Sequence, residues 1–275
     1  MTMSFRALAC AVVWVALAGT PSGRAMNHPR LDGAPTIRLG YGTADVALEE
    51  AAIGFAEPPM VEFGIGSHTI ESLRSGVVSQ ELGELQISRV STDLGDEAES
   101  GRIDPDAWRF GLNWTTGYGY PWGKARFILN HTSGLAFTNI NVDLEGLSPE
   151  DQHLLGDFDE KLRFGTHAAA GLLVQIGPII GVEAQYERAL AFRRLLFWKW
   201  LGSELIQQGG QSLIDRFVDR ILERRPMAAP VVSFLLRSGL SYAAYELRRE
   251  EMNYPFESAP PLTFDTFKVG LRFTF

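Results

Sequence analysis

The chain has 275 residues, a formal net charge of −8 at pH 7, and 45% hydrophobic and 21% charged residues. This length suffices for one large domain or two small ones, and the apolar fraction excludes disorder throughout the chain. The acidic balance argues against a nucleic-acid partner, since a general nucleic-acid binder needs a basic face.

Residues 1–25 have the pattern of an export signal. Arg6 precedes the apolar run ALACAVVWVALAG, and small residues are frequent in the stretch that ends at Ala25. A basic start, an apolar centre of about a dozen residues and a small-residue cleavage site are typical of a secretory signal peptide. The run is shorter than the ~20 apolar residues that a membrane-spanning helix needs. The sequence therefore predicts an exported protein that is cleaved after Ala25.

Cys10 is the only cysteine of the chain and lies inside this predicted signal peptide. The mature protein would then have no disulfide, no cysteine–zinc site and no thiol nucleophile. Residues 26–59 are predicted to form an N-terminal segment that is partly irregular, because the alternation in TIRLGYGT (36–43) is weak.

From residue 60 onward, segments of alternating apolar and polar residues predict β-strands. In WRFGLNW, Trp108 and Phe110 share one face, and Arg109 and Gly111 share the other. A period of two places these two sets on opposite faces of a strand. The predicted strands are 60–71, 82–92, 107–118, 125–138, 162–176, 179–190, 231–247 and 264–275.

The residue types on these faces favour a transmembrane barrel over a water-soluble β-protein. Glycine accompanies Arg, Glu and Gln in the polar rows, as suits a narrow lumen, and Tyr118, Tyr120 and Trp122 lie where a membrane-interface girdle is expected. Single-chain bacterial barrels have even strand numbers, which excludes a ninth strand at 36–43 and leaves ten strands as the alternative. The predicted fold is all-β, a closed antiparallel barrel of about eight strands without an open pore, with a helical insertion.

The chain ends in TFKVGLRFTF, which alternates strictly and predicts a strand that is paired on both sides. Together with the signal peptide and the other strands, this segment resembles bacterial outer-membrane β-barrel proteins over most of residues 60–275. The resemblance implies a place in the cell outer membrane, contact with outer-membrane lipid, and recognition by the barrel-assembly machinery. The residues that would carry the assembly signal are Phe267, Leu271, Phe273 and Phe275.

Residues 193–229 interrupt the strand pattern and are predicted to be helical. Gly209-Gly210 is expected to separate two helices, with Ser212 and Asp215 capping the second. One interpretation is a pair of interfacial helices, with Trp198 and Trp200 at headgroup depth and a periplasmic or surface partner. The other is a packed cap over one end of the barrel.

The side of the membrane that carries this insertion stays open at the level of sequence. Counting strands back from a periplasmic C-terminus places residues 193–229 in the periplasm. Gly177-Pro178 resembles a tight periplasmic turn, which implies the opposite side.

Two polar residues lie in a row of side chains that is predicted to face lipid. His131 and Ser133 have the same parity as Phe127 and Leu129 in the segment ARFILNHTSGLAF. Polar side chains in lipid are costly unless they pair or act on a lipid. Because positions i and i+2 are neighbours on one strand face, His131 could accept the proton of the Ser133 hydroxyl.

The spacing from His131 and Ser133 to Glu145 is similar to the active-site motif of outer-membrane lipid A 3-O-deacylases, which are eight-stranded barrels. This resemblance implies His131 as the base, Ser133 as the nucleophile, Glu145 as the orienting carboxylate and Asn141 as an oxyanion or structural residue. The chain departs from that motif at Gly134, where the family usually has Asn, and strand parity turns Glu145 inward. Two hypotheses remain: a barrel with a structural or interaction role, and an ester hydrolase.

Other residues give weaker signals, and no cofactor or metal site is predicted. His68 and His167 lie on lumen rows without the spacing of metal ligands, so we expect them to fill the lumen as hydrogen-bonded side chains. Asp157, Asp159 and Glu160 are expected in a solvated turn, and Ser148 is expected to cap a short helix.

Overall fold

The computed structural model describes residues 33–94 and 102–275. The predicted signal peptide (1–25) and Cys10 lie outside the described residues and stay predictions. The strands are β1 (Ala34–Leu48), β2 (Pro59–Ser72), β3 (Val78–Ser91), β4 (Pro105–Trp122), β5 (Ala125–Val142), β6 (Lys161–Ile176), β7 (Ile180–Ala191) and β8 (Leu262–Thr274). The α-helices are α1 (Pro149–Leu155), α2 (Phe197–Arg224) and α3 (Ala229–Glu250), and short 3-10 turns occupy Thr92–Leu94 and Pro226–Ala228.

The strands form a closed antiparallel barrel in the order β1 to β8, as the sequence predicts. β8 pairs with β7 on one side and with β1 on the other, and the Phe275 amide donates to the Pro35 carbonyl at 2.9 Å. The predicted strand with two paired edges is therefore confirmed. Closure leaves no strand edge unpaired, which is the condition for a β-structure in lipid.

The number of strands agrees with the prediction, but two of the assignments are wrong. Residues 36–43 belong to β1, where Thr36 and Arg38 face the lumen and Ile37 and Leu39 face outward, so the barrel begins well before residue 60. Gly40 and Gly42 occupy lumen-facing positions of β1 but have no side chains there. The alternation of apolar and polar residues therefore looks weak in the sequence.

Residues 231–247 are helical rather than extended, and they form most of α3. Their apolar positions fit a strand, but the buried polar residues Ser233, Ser241 and Arg248 recur at helical intervals. The helical insertion consequently extends from residue 197 to residue 250, well beyond the predicted 193–229. Gly209-Gly210 does not interrupt α2, and Ser212 donates to the Gln208 carbonyl (2.9 Å) inside that helix instead of capping it.

The two ends of the barrel differ in the length of their connections. At one end, which we name the turn end, short segments join β2 to β3, β4 to β5 and β6 to β7; the tight turn at Gly177 has φ +62, which favours glycine. The other end, which we name the loop end, carries all the long connections. Short turns face the periplasm in outer-membrane barrels.

The insertion starts and finishes at the loop end, because β8 is the one strand that follows it. The two sequence arguments about the side of the membrane that carries the insertion disagree because residues 231–247 are counted there as a further strand. With that segment helical, the strand count and the Gly177-Pro178 turn agree with each other.

Charged side chains pair across the lumen of the barrel. Arg38 contacts Glu62, Glu84 (2.6 Å) and Glu183 (3.3 Å), and all of these side chains are almost fully buried. Arg272 contacts Glu84 and Glu183, Lys268 contacts Glu62 and Glu187, and Arg109 contacts Glu187. Buried charges are tolerated when they are paired in this way.

This network fills the lumen, and the gap beside Arg38, Glu84 and Lys268 leaves no room for a water-sized molecule. His68 is a hydrogen-bonded lumen residue as predicted, because its ring nitrogens lie 3.1 Å from Gln80 Nε2 and 3.3 Å from Thr274 Oγ1. His167 is also buried there, but neither ring nitrogen has a hydrogen-bond partner among the described residues.

Candidate functional site

Helices α2 and α3 form a helical hairpin (Phe197–Glu250) that lies along the outside of the barrel, with α3 against β4, β5 and β6. Near the turn end, the Tyr120 hydroxyl donates to the Met227 carbonyl (2.7 Å). Near the loop end, Trp200 packs edge-on against Phe164, with ring centroids 5.2 Å apart. The 28 residues of α2 extend roughly 42 Å at about 1.5 Å per residue, which exceeds the ~25 Å apolar band of such barrels.

The outer wall beneath α3 contains polar residues that the sequence placed in lipid. His131 is buried, and its Nε2 lies 2.7 Å from the Ser241 hydroxyl of α3. Gln211 Nε2 of α2 lies 3.5 Å from the same hydroxyl oxygen. We name the outward side chains of β4, β5 and β6 on which α3 packs the covered wall. The helical hairpin supplies the hydrogen-bond partner that lipid would deny to His131.

The predicted catalytic triad is not assembled. His131 and Ser133 point outward together, as the parity of β5 requires, but the hydroxyl hydrogen-bonded to His131 belongs to Ser241. β5 continues from His131 to Val142, roughly 35 Å at about 3.3 Å per residue, before the chain reaches Glu145. Glu145 lies in the loop beyond, where its amide donates to Asp143 Oδ1 (2.9 Å), and it is too distant to orient His131.

An acidic cavity of about 700 Å³ opens at the loop end, and Glu145 and Asn141 line it. Its other acidic lining residues are Asp104, Asp106, Asp143, Asp159 and Glu160. Asp159 Oδ1 accepts the amide hydrogen of Val142 (3.0 Å), so this carboxylate has a structural partner. Within residues 33–94 and 102–275, no group of three or more His, Cys, Asp or Glu residues is arranged to hold a metal ion.

Polar contacts join the two helices to each other and to the barrel. Arg237 of α3 forms an ion pair with Asp215 of α2 (2.5 Å). Arg248 Nη2 donates to Ser203 Oγ (3.0 Å), and its Nη1 donates to Thr166 Oγ1 on β6 (3.4 Å). These side chains place the polar face of the helical hairpin towards the barrel.

Arg188 attaches α3 to the barrel near the loop end. This residue points outward from β7, and its Nη1 donates to Glu246 Oε1 of α3 (2.7 Å). Its guanidinium carbon lies 4.3 Å from the centre of the Tyr242 ring and 4.8 Å from that of Tyr245. The Tyr245 hydroxyl donates to Asp265 Oδ1 on β8 (2.7 Å).

The outward face of the helical hairpin is apolar through its middle. Leu213 and Leu235 are 65% and 61% exposed, so they contact nothing that shields them within the described chain. The remaining exposed residues between 205–213 and 231–247 are Leu205, Ile206, Gly209, Val231, Leu236, Gly239, Tyr242, Ala243 and Leu247. The helical hairpin thus repeats the polarity of the barrel wall, with polar groups inward and apolar groups outward.

The predicted interface aromatics divide between the two ends of the barrel. Trp122 is largely exposed at the turn end, and Tyr118 and Tyr120 are half-buried beside it. Trp198 is exposed near the loop end. Trp200 is buried against Phe164, which contradicts its predicted place at headgroup depth and makes it a packing residue of the helical hairpin.

By the usual criteria of length and hydropathy, no helix in the described parts of the chain is able to cross a membrane by itself.

No protein-family description matches the chain, and no curated protein sequence matches it. Among solved structures, it is similar to Neisserial surface protein A, with 9% identity and a TM-score of 0.40 over 88% of this chain and 97% of that one. It is also similar to Ail, the attachment invasion locus protein of Yersinia pestis, with 12% identity and a TM-score of 0.32 over 88% and 99% of the two chains.

The barrel itself defines the class of the protein. It is closed and antiparallel with an even number of strands, its lumen is filled with paired charges, and its outer wall is apolar. The chain is an outer-membrane β-barrel protein, and the outer membrane is its location.

Sequence reasoning missed the residues of the helical hairpin that face the barrel, chiefly Ser241, Gln211, Arg248 and Arg188. A signal was present in the segment 231–247, where polar residues recur every three or four positions, as on one face of a helix. The apolar alternation of the same segment obscured that signal.

Proposed function

We propose that the protein is a non-conducting barrel that holds a helical hairpin in the membrane, and that it acts by lateral contact of this hairpin with membrane lipid. The observation that carries the proposal is the polarity of the helical hairpin. Leu213 and Leu235 point away from the barrel, while Ser241 and Arg237 point towards it or towards the neighbouring helix. In water this arrangement would expose apolar residues and bury polar ones.

The barrel wall supplies hydrogen-bond partners for the polar residues of α2 and α3 when these helices lie in the membrane. His131, Thr166 and the Tyr120 hydroxyl meet polar groups of α2 and α3 directly. A polar group in lipid is stabilised when it has a hydrogen-bond partner. The outward row then faces acyl chains, as Leu39 and Leu271 do elsewhere on the barrel.

A depth measurement tests this function. Cys10 is replaced by Ala, single cysteines are introduced at Leu213 or Leu235, and an environment-sensitive fluorophore is attached in protein reconstituted into vesicles with brominated lipids. We expect quenching comparable to that of a label at Leu39 on the barrel wall. A label at Glu145, in the loop, provides the aqueous control. Quenching at Leu213 and Leu235 as weak as at Glu145 would show that the helical hairpin lies outside the membrane.

A deletion addresses the interaction role. Ala191 and Leu262 are paired directly, so a short Gly-Ser turn can replace residues 193–260 and still connect β7 to β8. We expect a barrel that retains heat-modifiable electrophoretic migration but has lost the lateral contacts of the helical hairpin. Loss of heat-modifiable migration would show that the helical hairpin is required for the barrel itself.

Assembly by the barrel-assembly machinery remains part of this proposal. Phe267 and Leu271 are exposed on the outer wall of β8, and Phe275 follows the strand. We expect a combined Phe273→Ala and Phe275→Ala variant to accumulate less folded barrel in the membrane than Phe63→Ala, a change of the same type on β2. Equal accumulation would remove the assembly role from these residues.

The hydrolase hypothesis gains no support from the arrangement around His131. His131 is the seventh of the 18 residues of β5 and lies between the apolar outward residues Leu129 and Leu135, and both His131 and Ser241 are buried. Ester groups of membrane lipids belong to the interface rather than to this depth. We therefore propose a packing role for His131 and Ser133.

A further inference from the structure

The outward face of α2 changes from apolar to basic towards the tip of the helical hairpin. Beyond Leu213 this face carries Phe217 and three arginines, Arg216, Arg220 and Arg224, all of which are exposed. Because they are spaced by four residues, these arginines are neighbours along one side of the helix. We name them the arginine row.

The depth of the arginine row follows from contacts higher in the helix. Gln211 contacts Ser241 beside His131, and His131 lies six residues from the turn-end limit of β5, roughly 20 Å along the strand at about 3.3 Å per residue. At about 1.5 Å per residue, Arg216, Arg220 and Arg224 lie roughly 8, 14 and 20 Å further towards the turn end. Half of the hydrocarbon core is about 15 Å thick, so Arg220 and Arg224 reach the headgroups and Arg216 can extend to them.

The guanidinium groups of the arginine row are unengaged within the described parts of the chain. Of the aspartates on the same helix, Asp215 is already paired with Arg237 on α3, and Asp219, which precedes Arg220, is half-buried rather than exposed. Glu223 shares the exposed face, but in residues 33–94 and 102–275 no arginine of the row has an acidic side chain within salt-bridge distance. The tip therefore presents free charged donors at the level of the interface.

We propose that the arginine row binds the phosphate of anionic phospholipids in the leaflet at the turn end; this inference rests on the membrane position of the helical hairpin. Two guanidinium groups one helical turn apart can donate several hydrogen bonds to one phosphate. The contact between Tyr120 and Met227 fixes the tip beside the exposed Trp122, where an interface is expected. Lipids of the other leaflet lie beyond the reach of these side chains.

Native mass spectrometry of the full chain in a neutral detergent tests the proposal, with phosphatidylglycerol and phosphatidylcholine added at equal concentration. The intact protein is expected to retain phosphatidylglycerol preferentially. Arg220→Gln combined with Arg224→Gln should weaken that retention roughly tenfold or more, since each charge near a headgroup contributes a factor of about five. Removing the one carboxylate on the face, with Glu223→Gln, should strengthen retention.

The matched control removes a positive charge from the same end of the barrel but away from the helical hairpin. Arg74 is exposed in the connection between β2 and β3, so Arg74→Gln should leave the preference intact, whereas Arg220→Gln alone should already weaken it. Equal loss in these two single variants, or no loss in the Arg220 and Arg224 double variant, would overturn the proposal. Strong quenching of the Leu213 label together with unchanged lipid preference would reject the phosphate site and leave the proposed function standing.

Discussion

Two regions of the barrel's outer surface differ in what covers their outward side chains. On β8, β1, β2 and β3, which we name the bare wall, outward residues such as Leu39, Phe63 and Leu271 are apolar and 41–50% exposed. On the covered wall, His131 and Thr166 face outward, are less than a tenth exposed, and hydrogen-bond to α3. The bare wall is compatible with lipid as it stands, whereas removal of the helical hairpin would leave His131 and Thr166 of the covered wall without these partners in lipid.

This contrast changes the meaning of a polar residue in a lipid-facing row. Such a residue can indicate chemistry performed on a lipid, or it can indicate that protein covers the strand at that point. His131 belongs to the second case, because Ser241 satisfies it and no carboxylate orients it within the described residues.

The largest effect is expected from a charge placed on either lipid-facing surface. Leu39→Arg on the bare wall and Leu213→Arg on the helical hairpin should each lower the free energy of unfolding by about 2–4 kcal/mol in a bilayer. Urea titration of the reconstituted protein measures this change, with Glu145→Arg in the loop as a control near zero. A cost at Leu39 but none at Leu213 would place the helical hairpin in water.

A smaller loss is expected when the contact between the covered wall and α3 is broken. Ser241→Ala removes the hydroxyl beside His131 and leaves a buried ring nitrogen without that partner, which should cost about 1–3 kcal/mol of unfolding free energy. Ser133→Ala is the control, because it removes a serine hydroxyl on the same face of β5 as His131. Its cost in unfolding free energy should be below that of Ser241→Ala. If both changes cost the same, the hydrogen bond to Ser241 has no special role.

The attachment of α3 near the loop end should be of intermediate strength. Arg188→Met removes the ion pair with Glu246 and the stacking on Tyr242, both partly exposed to solvent, and should cost about 1–2 kcal/mol. Hydrogen exchange should then increase in α3 near Glu246, while the strands of the bare wall remain protected. Uniform exchange in α3 and β1 would indicate that Arg188 stabilises the barrel as a whole.

The smallest effects are expected within the helical hairpin, where two adjacent glycines differ in their surroundings. A Cβ added at Gly209 would meet nothing within 4 Å, so Gly209→Ala should stabilise the protein by about 0.5–1 kcal/mol through helix propensity. A Cβ at Gly210 would lie 2.9 Å from Leu240 Cδ2, so Gly210→Ala should lose that gain. Equal thermal shifts for the two variants would contradict the packing of α2 on α3.

The fold could be predicted from the sequence wherever one face met lipid and the other met the lumen. In β4, the sequence WRFGLNW separates Trp108 from Arg109 without ambiguity, and the structure has them on opposite faces. The same pattern failed in α3, because a helix that lies between a polar wall and lipid also mixes apolar and polar residues. Polar residues recur every three or four positions in α3 because that face of the helix contacts the covered wall.

The candidate site could be predicted only in part, because its two halves are far apart in the chain. The sequence identified His131 and Ser133 as anomalous, and the structure gives the reason in the residue opposite, Ser241, 110 positions away. Local spacing instead pointed to Glu145, which the length of β5 removes from the site. A contact between a strand and a distant helix leaves no mark in local periodicity.

The central claim is that the helical hairpin, rather than lipid, is the environment of His131. The most direct test is the effect of His131→Leu on the free energy of unfolding, measured in the chain with residues 193–260 and in the chain without them. In the full chain we expect the substitution to lower the free energy of unfolding by about 1–3 kcal/mol, because Ser241 loses its partner. In the chain with a Gly-Ser turn in place of those residues, we expect it to raise stability, because a histidine is then removed from lipid. A change of the same sign in both backgrounds would contradict the account.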